Sequence, residues 1–385
     1  MEMQKIETTS RWQDTIGDIQ VLFGAGRLAE LGEVTSGLGV RRPLLVSDPG
    51  LRVAGHPAAA EAALRSAGLD PASWYGASQN PTSTDVERGA AAAASHRADG
   101  LVAVGGGSAM DCAKGINFVY TNGGSMAQYR GYGKARRPML PSVGVPTTAG
   151  TGSEAQSYAL ISDPQTHDKM ACGDPGASFR TVILDPGLLP TAPTAVVASS
   201  GLDAISHAVE SHVSTRRNAR SAGYSGAAWR LLDGALETVL ARPTNESTWA
   251  QMLLGAHLAG AAIEQSMLGA AHAAANPLTA RHGVAHGAAV SLMLPWVVRF
   301  NGETCESLYS ELVEAATGTP ASESLARRLE ALRAAGGLPA TLREVGVATG
   351  DLPGLARLAA TQWTAAFNPR PTGETELRSL YEAAY

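Results

Sequence analysis

Little in this 385-residue chain is aromatic, 5%, and only three cysteines occur, Cys112, Cys172 and Cys305. An odd number of cysteines with no CxxC pair argues against a disulfide framework and fits a reducing compartment. Charge is sparse as well, at 17% of residues with a net value of -5. Lys and Arg are scattered, and Arg136-Arg137 and Arg216-Arg217 are pairs rather than patches, so no nucleic-acid partner is expected. No run of 18 apolar residues occurs, so no membrane span is expected. The opening MEMQKIETTSRWQD is charged and lacks the apolar core of a signal peptide, which makes a cytoplasmic location the default expectation. What the chain does hold is Ala and Gly within a 44% hydrophobic composition, enough for buried cores and close helix packing. Its length points to two domains.

The first half reads as alternating strands and helices. DIQVLFGAG is a strand ending in a glycine turn. Gly24-Ala25-Gly26 lacks the third glycine of a dinucleotide fingerprint, so a plain strand exit is the simpler reading. PLLVSD is a second strand, ending at Asp48, where a carboxylate meets the ribose hydroxyls of NAD in an α/β nucleotide domain and repels a 2′-phosphate; an ordinary turn aspartate is the competing reading. HPAAAEAALRSAG is helical, ASWYGAS a strand, and Asn80-Pro81-Thr82 a turn opening the helix DVERGAAAAASHRA. In DGLVAVGGGSAMDCAKGI a buried strand meets a helix across Gly105, Gly106, Gly107 and Ser108. Glycines let backbone approach a phosphate, and the N–H groups at the helix start bind it, whereas a turn without a ligand needs one or two glycines. Asp111, placed in the first turn, is either a dipole partner or a nucleotide contact. SVGVPTTAGTGSE then carries Thr147, Thr148, Thr151 and Ser153, donors for phosphate or ribose oxygens, or a solvated loop. Strands SYALISD and KMACGD flank Lys169, and TVILDPGLLP closes the segment.

From residue 194 the pattern turns to long Ala/Leu-rich helices, so 1–193 and 194–385 are the expected domains, α/β and then all-α. Asp203 and His207 in GLDAISHAVE are four apart and share a helix face. His272 begins a second such face. Pro277 and Gly283 are expected to interrupt the segment after it, leaving His282 in a loop and His286 near the start of a third helix. Three imidazoles and a carboxylate from three helices make a ligand set for a divalent transition metal. Single histidines are mostly hydrogen-bonded structural residues, the reading given to His56, His96, His167, His212 and His257.

GGGSAMD, PTTAGTGSE, GLDAISHAVE and the His-x13-His spacing resemble, in order and separation from about residue 20 to 370, the iron-containing (group III) alcohol dehydrogenase family. The resemblance implies an N-terminal Rossmann-like nucleotide-binding domain with a parallel sheet, and a C-terminal helical metal-binding domain, the dehydroquinate synthase-like fold. It implies Fe(II), alternatively Zn(II), on Asp203, His207, His272 and His286. Its cofactor contacts carry over to Asp48, Asn80, Gly107, Ser108, the Thr147–Thr151 loop, Lys169, Tyr158 and Leu189, with NAD(H) favoured by Asp48. It also implies a homodimer or higher homo-oligomer.

The expected activity is interconversion of a small aldehyde or ketone with its alcohol by hydride transfer, the metal acting as Lewis acid. Arg281 and Arg130 leave open an anionic aldehyde, phosphonoacetaldehyde-like or a carboxylate semialdehyde. Maleylacetate reductase-like activity is a further alternative, disfavoured because that branch has an amide where Asp203 stands. A non-redox lyase or cyclase of the dehydroquinate synthase type is the reading from another class. One departure stands out: many family members carry a second histidine four residues after the third ligand, thought to pass the alcohol proton onward, and here that position is Asn276. An amide is no proton shuttle near neutral pH. The ribose hydroxyls and water, or His282, are left to carry the proton.

Overall fold

The structure, a computed structural model, describes residues 7–166, 168–315 and 317–385, so His167 lies outside the described residues. The chain divides into two compact units, one ending at Thr191 and the other beginning at Ala192.

Among its described residues the first unit carries ten strands: Trp12–Ile16 (β1), Ile19–Phe23 (β2), Pro43–Val46 (β3), Ala72–Trp74 (β4), Gly100–Gly105 (β5), Gly131–Tyr132 (β6), Ser142–Pro146 (β7), Tyr158–Ser162 (β8), Lys169–Gly173 (β9) and Thr181–Leu184 (β10). Its helices are Leu31–Gly37 (α1), Leu51–Ala54 (α2), His56–Ser66 (α3), Ser83–His96 (α4) and Gly107–Asn122 (α5). Seven strands form one sheet in the order β1-β2-β10-β7-β5-β3-β4. All neighbours in it are parallel except the β1–β2 hairpin. Every residue of β3, β5, β7 and β10 is buried, as expected for central strands of a parallel sheet covered on both faces. The remaining strands make a small sheet, β6-β9-β8. The turn at Asn80-Pro81-Thr82 opens α4 through a capping box, in which the Thr82 Oγ1 accepts from the Asp85 N–H and the Thr82 N–H donates to Asp85.

The second unit is helical: Thr194–Val213 (α6), Ala219–Ala241 (α7), Glu246–Ser266 (α8), Ala270–His282 (α9), His286–Tyr309 (α10), Ala321–Ala335 (α11), Leu352–Ala360 (α12) and Glu374–Ala383 (α13). α6 is its centre: α7, α8 and α10 pack on it, and it is buried without interruption from Gly201 to Val213. The expected break at Pro277 does not occur. α9 runs through Pro277 and stops at Gly283, which adopts the left-handed conformation (φ 66°) that favours glycine. His282 is therefore the last residue of a helix rather than part of a loop, while His286 does open α10. No helix among the described residues is long and apolar enough to cross a membrane.

Candidate active site

In the first unit the chain leaves β3 for the edge strand β4 and returns on the other side of β3 as β5, so the strand order reverses between β3 and β5. Ligands of open α/β sheets bind beyond the carboxyl ends of the strands at such a reversal. Asp48 follows β3 there, and Gly105 ends β5. The Asp48 Oδ1 accepts from the Leu51 N–H at 3.1 Å, and its other oxygen would lie 3.5 Å from a Cβ built on Gly105. Gly106 caps α5 with no side-chain hydrogen bond at that end, and Gly107 and Ser108 are its first two residues, so the helix start presents amides toward the reversal point.

The three glycines also have a reason inside the protein. A Cβ on Gly105 would meet the Ala109 Cβ at 2.6 Å, one on Gly106 the Thr148 Oγ1 at 3.2 Å, and one on Gly107 the Thr151 Oγ1 at 2.5 Å. Gly105 is thus held close to α5 itself, and Gly106 and Gly107 close to the Thr148 and Thr151 side chains, with or without a ligand. It is the position in the sheet, not the number of glycines, that points to a nucleotide. The Thr147 N–H donates to the Gly105 carbonyl at 3.0 Å, fastening the loop beside the turn.

Asp111 belongs elsewhere than expected. α5 already begins at Gly107, which puts Asp111 beyond the first turn. Its carboxylate accepts from the Ser153 Oγ at 2.6 Å, and burial raises its pKa, with Lys114 and Ser153 acting in the opposite sense. The buried Lys114 ammonium donates to the carbonyls of Ser153, Gln156 and Tyr158 at 2.6, 2.8 and 2.8 Å. Asp111 and Ser153 are thereby joined to a lysine that ties α5 to the hydroxyl-rich segment, a role that local spacing did not reveal. Tyr158 packs its ring on Tyr132, Lys169 opens β9, Asn80 is exposed with φ 54°, and Leu189 is buried in the 3-10 turn after β10.

The second unit gathers all four expected ligands. His207 Nε2, His272 Nε2 and His286 Nε2 stand 3.4, 3.5 and 3.8 Å from Asp203 Oδ1. The donor atoms of Asp203, His207 and His272 lie within 4.8 Å of one another, and all three residues are buried. His286 approaches from the more open side, its side chain 25% exposed. Four donors around one tetrahedral ion stand about 3.3 Å apart, close to the spacing of the three imidazole nitrogens from Asp203 Oδ1. Asp203 Oδ1 and His272 Nε2 are buried and make no hydrogen bond, an arrangement that costs stability unless a cation is shared. Burial alone would raise the Asp203 pKa, but His207 above all, with His272 and His286, holds the carboxyl well below the ordinary range. Burial likewise disfavours a charged His272, yet Glu210 and then Asp203 carry its ring up to about 9.

Three helices supply this cluster because α6 presents Asp203, His207 and Glu210 at i, i+4 and i+7 on one face. Glu210 was not singled out by sequence reasoning, although its spacing from the other two was visible. Its Oε2 takes a short hydrogen bond from His272 Nδ1. Asn276, one turn beyond His272 on α9, donates through Nδ2 to the Gln362 Oε1 at 3.0 Å. His282 lies ten residues from His272 on the same helix, about 15 Å along its axis.

The sequence model described as "Iron-containing alcohol dehydrogenase" matches residues 19–186, and that described as "Fe-containing alcohol dehydrogenase family, C-terminal" matches residues 197–385. The chain belongs to the iron-containing alcohol dehydrogenase family. This iron-type alcohol dehydrogenase is 32% identical to 1,3-propanediol dehydrogenase of Klebsiella pneumoniae over 94% of its own length and 96% of that protein. It is 30% identical to the NAD-dependent methanol dehydrogenase of Bacillus methanolicus, over 94% of its length and 97% of the relative. A crystal structure of a 1,3-propanediol oxidoreductase superposes with a TM-score of 0.91 at 32% identity, covering 98% of this chain and 99% of the other. The iron-containing dehydrogenase fold, a parallel-sheet domain followed by a helical one, is thus the fold of this chain, and alcohol/aldehyde oxidoreduction is its reaction class.

Proposed function

We propose that this alcohol dehydrogenase uses NAD(H) and a divalent ion, Fe(II) or alternatively Zn(II), held by Asp203, His207, His272 and His286, to interconvert a small aldehyde or ketone with its alcohol. The observation that carries the reading is the convergence of three imidazole Nε2 atoms on one buried carboxylate oxygen, with Asp203 Oδ1 and His272 Nε2 lacking any hydrogen bond. When bound, the ion polarises the substrate oxygen as a Lewis acid and the nicotinamide exchanges the hydride. The side chains of α6, α9 and α10 fix the donors; the substrate oxygen needs no covalent nucleophile from the chain.

At the nucleotide end, the α5 amides of Gly107 and Ser108 bind the pyrophosphate, and Thr147, Thr148 and Thr151 offer hydroxyls beside it. Asn80, Tyr158, Lys169 and Leu189 complete the contacts carried over from the family, and Asp48 receives the ribose hydroxyls, which selects NAD(H) over NADP(H). The NAD-dependent relative supports that choice. Asp111 and Ser153 act through Lys114 on the loop rather than on the cofactor. Asn276 neither gains nor loses a proton near neutral pH, and His282 stands about 15 Å of helix away from His272. Neither side chain is assigned the proton of the alcohol, which would pass to water at the more open, His286 side of the cluster. Small diols and primary alcohols, the substrates in the relatives' names, are the first class to assay.

The test is the variant His272→Ala, assayed for bound metal, NADH binding and turnover. It should lose metal and turnover while keeping its fold and NADH binding. Full activity of this variant in chelator-treated buffer would overturn the metal reading.

A further inference from the structure

Two hydrogen-bond donors meet the Glu210 carboxylate from the same helix. The Ala271 N–H donates to Oε1 at 2.7 Å, and His272 Nδ1 bonds to Oε2. Glu210 is buried, 3% exposed, and it belongs to α6, so both contacts reach across from the helix that carries Asp203 and His207. α9 starts without a side-chain cap of its own at Gly269. Its first amides are satisfied from elsewhere in the unit: Ala270 N–H by the Asn368 Oδ1 at 3.2 Å, and Ala271 N–H by Glu210. The arrangement is tight, since a Cβ on Gly269 would stand 2.9 Å from the Asn368 Oδ1 and 3.0 Å from the Glu210 Oε1.

An imidazole that ligates through Nε2 must carry its proton on Nδ1, and an acceptor on Nδ1 fixes both that tautomer and the ring's orientation. Ala271 N–H and His272 Nδ1–H each require an acceptor at the same side chain. Only a carboxylate has two. An amide of the same shape has one oxygen and one NH2 group, so it satisfies one donor and opposes the other. We infer that Glu210 is a positioning residue of the metal centre: with one oxygen it fixes the start of α9, and with the other it holds His272 as the Nδ1–H tautomer with Nε2 directed at Asp203. The inference rests on the ligand reading given above.

The test uses the full-length protein stripped of metal and titrated with Co(II), whose visible spectrum reports ligand number and geometry. Glu210→Gln should remain folded but bind Co(II) about 10- to 100-fold more weakly than the unchanged protein, with an altered visible spectrum. Asn368→Ser is the comparison, because Asn368 caps the same helix without touching His272. It should lower thermal stability while leaving Co(II) affinity within about threefold. Equal loss of affinity in both variants would mean that capping, not the histidine tautomer, is what counts, and would overturn the inference. So would a Glu210→Gln protein that binds Co(II) with unchanged affinity and spectrum. If the unchanged protein takes up no Co(II) at all, the ligand set itself is wrong and the inference falls with it.

Discussion

Gly287 offers the most direct test of how His286 is delivered to the site. It is the second residue of α10, next to His286, and it lies against the backbone of α6. A Cβ at this position would stand 2.0 Å from the Ser199 carbonyl oxygen and 2.7 Å from its carbon, where ordinary contact begins near 3.4 Å. The obstacle is main chain, which cannot rotate away as a side chain can. Gly287→Ala must therefore part α10 from α6 by about 1.4 Å or turn α10 about its axis, and a core strained in this way loses about 1–3 kcal/mol. Metal ligands tolerate displacements of only about 0.2 Å, so His286 cannot keep its place near Asp203. Metal content by elemental analysis, Zn(II) affinity by competition with a chromophoric chelator, and urea unfolding of the metal-free protein should all register the change. Affinity should fall by at least about tenfold. Gly234→Ala is the control, because a Cβ there meets nothing within 4 Å, and on helix α7 it should be neutral or stabilising by up to about 1 kcal/mol. Wild-type metal content, affinity and stability in Gly287→Ala would refute the close approach of the two helices and, with it, the delivery of His286 by that contact.

Two further predictions concern charge. Asp48→Ser keeps an acceptor for the Leu51 N–H but removes the carboxylate, so the ratio of kcat/KM for NADPH to that for NADH should rise by at least about tenfold; an unchanged ratio would remove Asp48 from the ribose. His212 is buried with Nδ1 2.8 Å from the Ser225 Oγ and Nε2 3.3 Å from the Glu311 carboxylate. Burial first, then Arg217, lowers its pKa from 6.5 to about 4. Between those values the unfolded chain binds a proton that the folded chain refuses, so this contribution is complete above pH 6.5 and is lost as pH falls toward 4, by about 2 kcal/mol between pH 7 and pH 5. Urea unfolding at the two pH values should show that loss, and His212→Asn should flatten it. The same pH dependence in both proteins would rule His212 out.

Much of the site could be read from sequence because its parts are local. The i, i+4 spacing of Asp203 and His207, the glycine turn between β5 and α5, and Gly283 ahead of His286 are set by a few adjacent residues whose backbone geometry follows from their type. Other features have partners far along the chain. Strand β1, Trp12–Ile16, has three consecutive exposed residues and shows no alternation; it is a strand because β2 pairs with it. Pro277 looks like a helix breaker and is not one here, since α10, α12 and α13 pack on α9.

From sequence alone came the two-part architecture, the candidate ligands on one helix face and the glycine turn between β5 and α5, which depend on periodicity and short-range stereochemistry. Only the tertiary structure decided that Gly107 lies against Thr151, that Asp111 accepts from Ser153, that His282 stands far from His272, and that Glu210 grips His272 from another helix. Those are hydrogen bonds and contacts between residues remote in sequence, and their geometry exists only once the chain has folded and buried them.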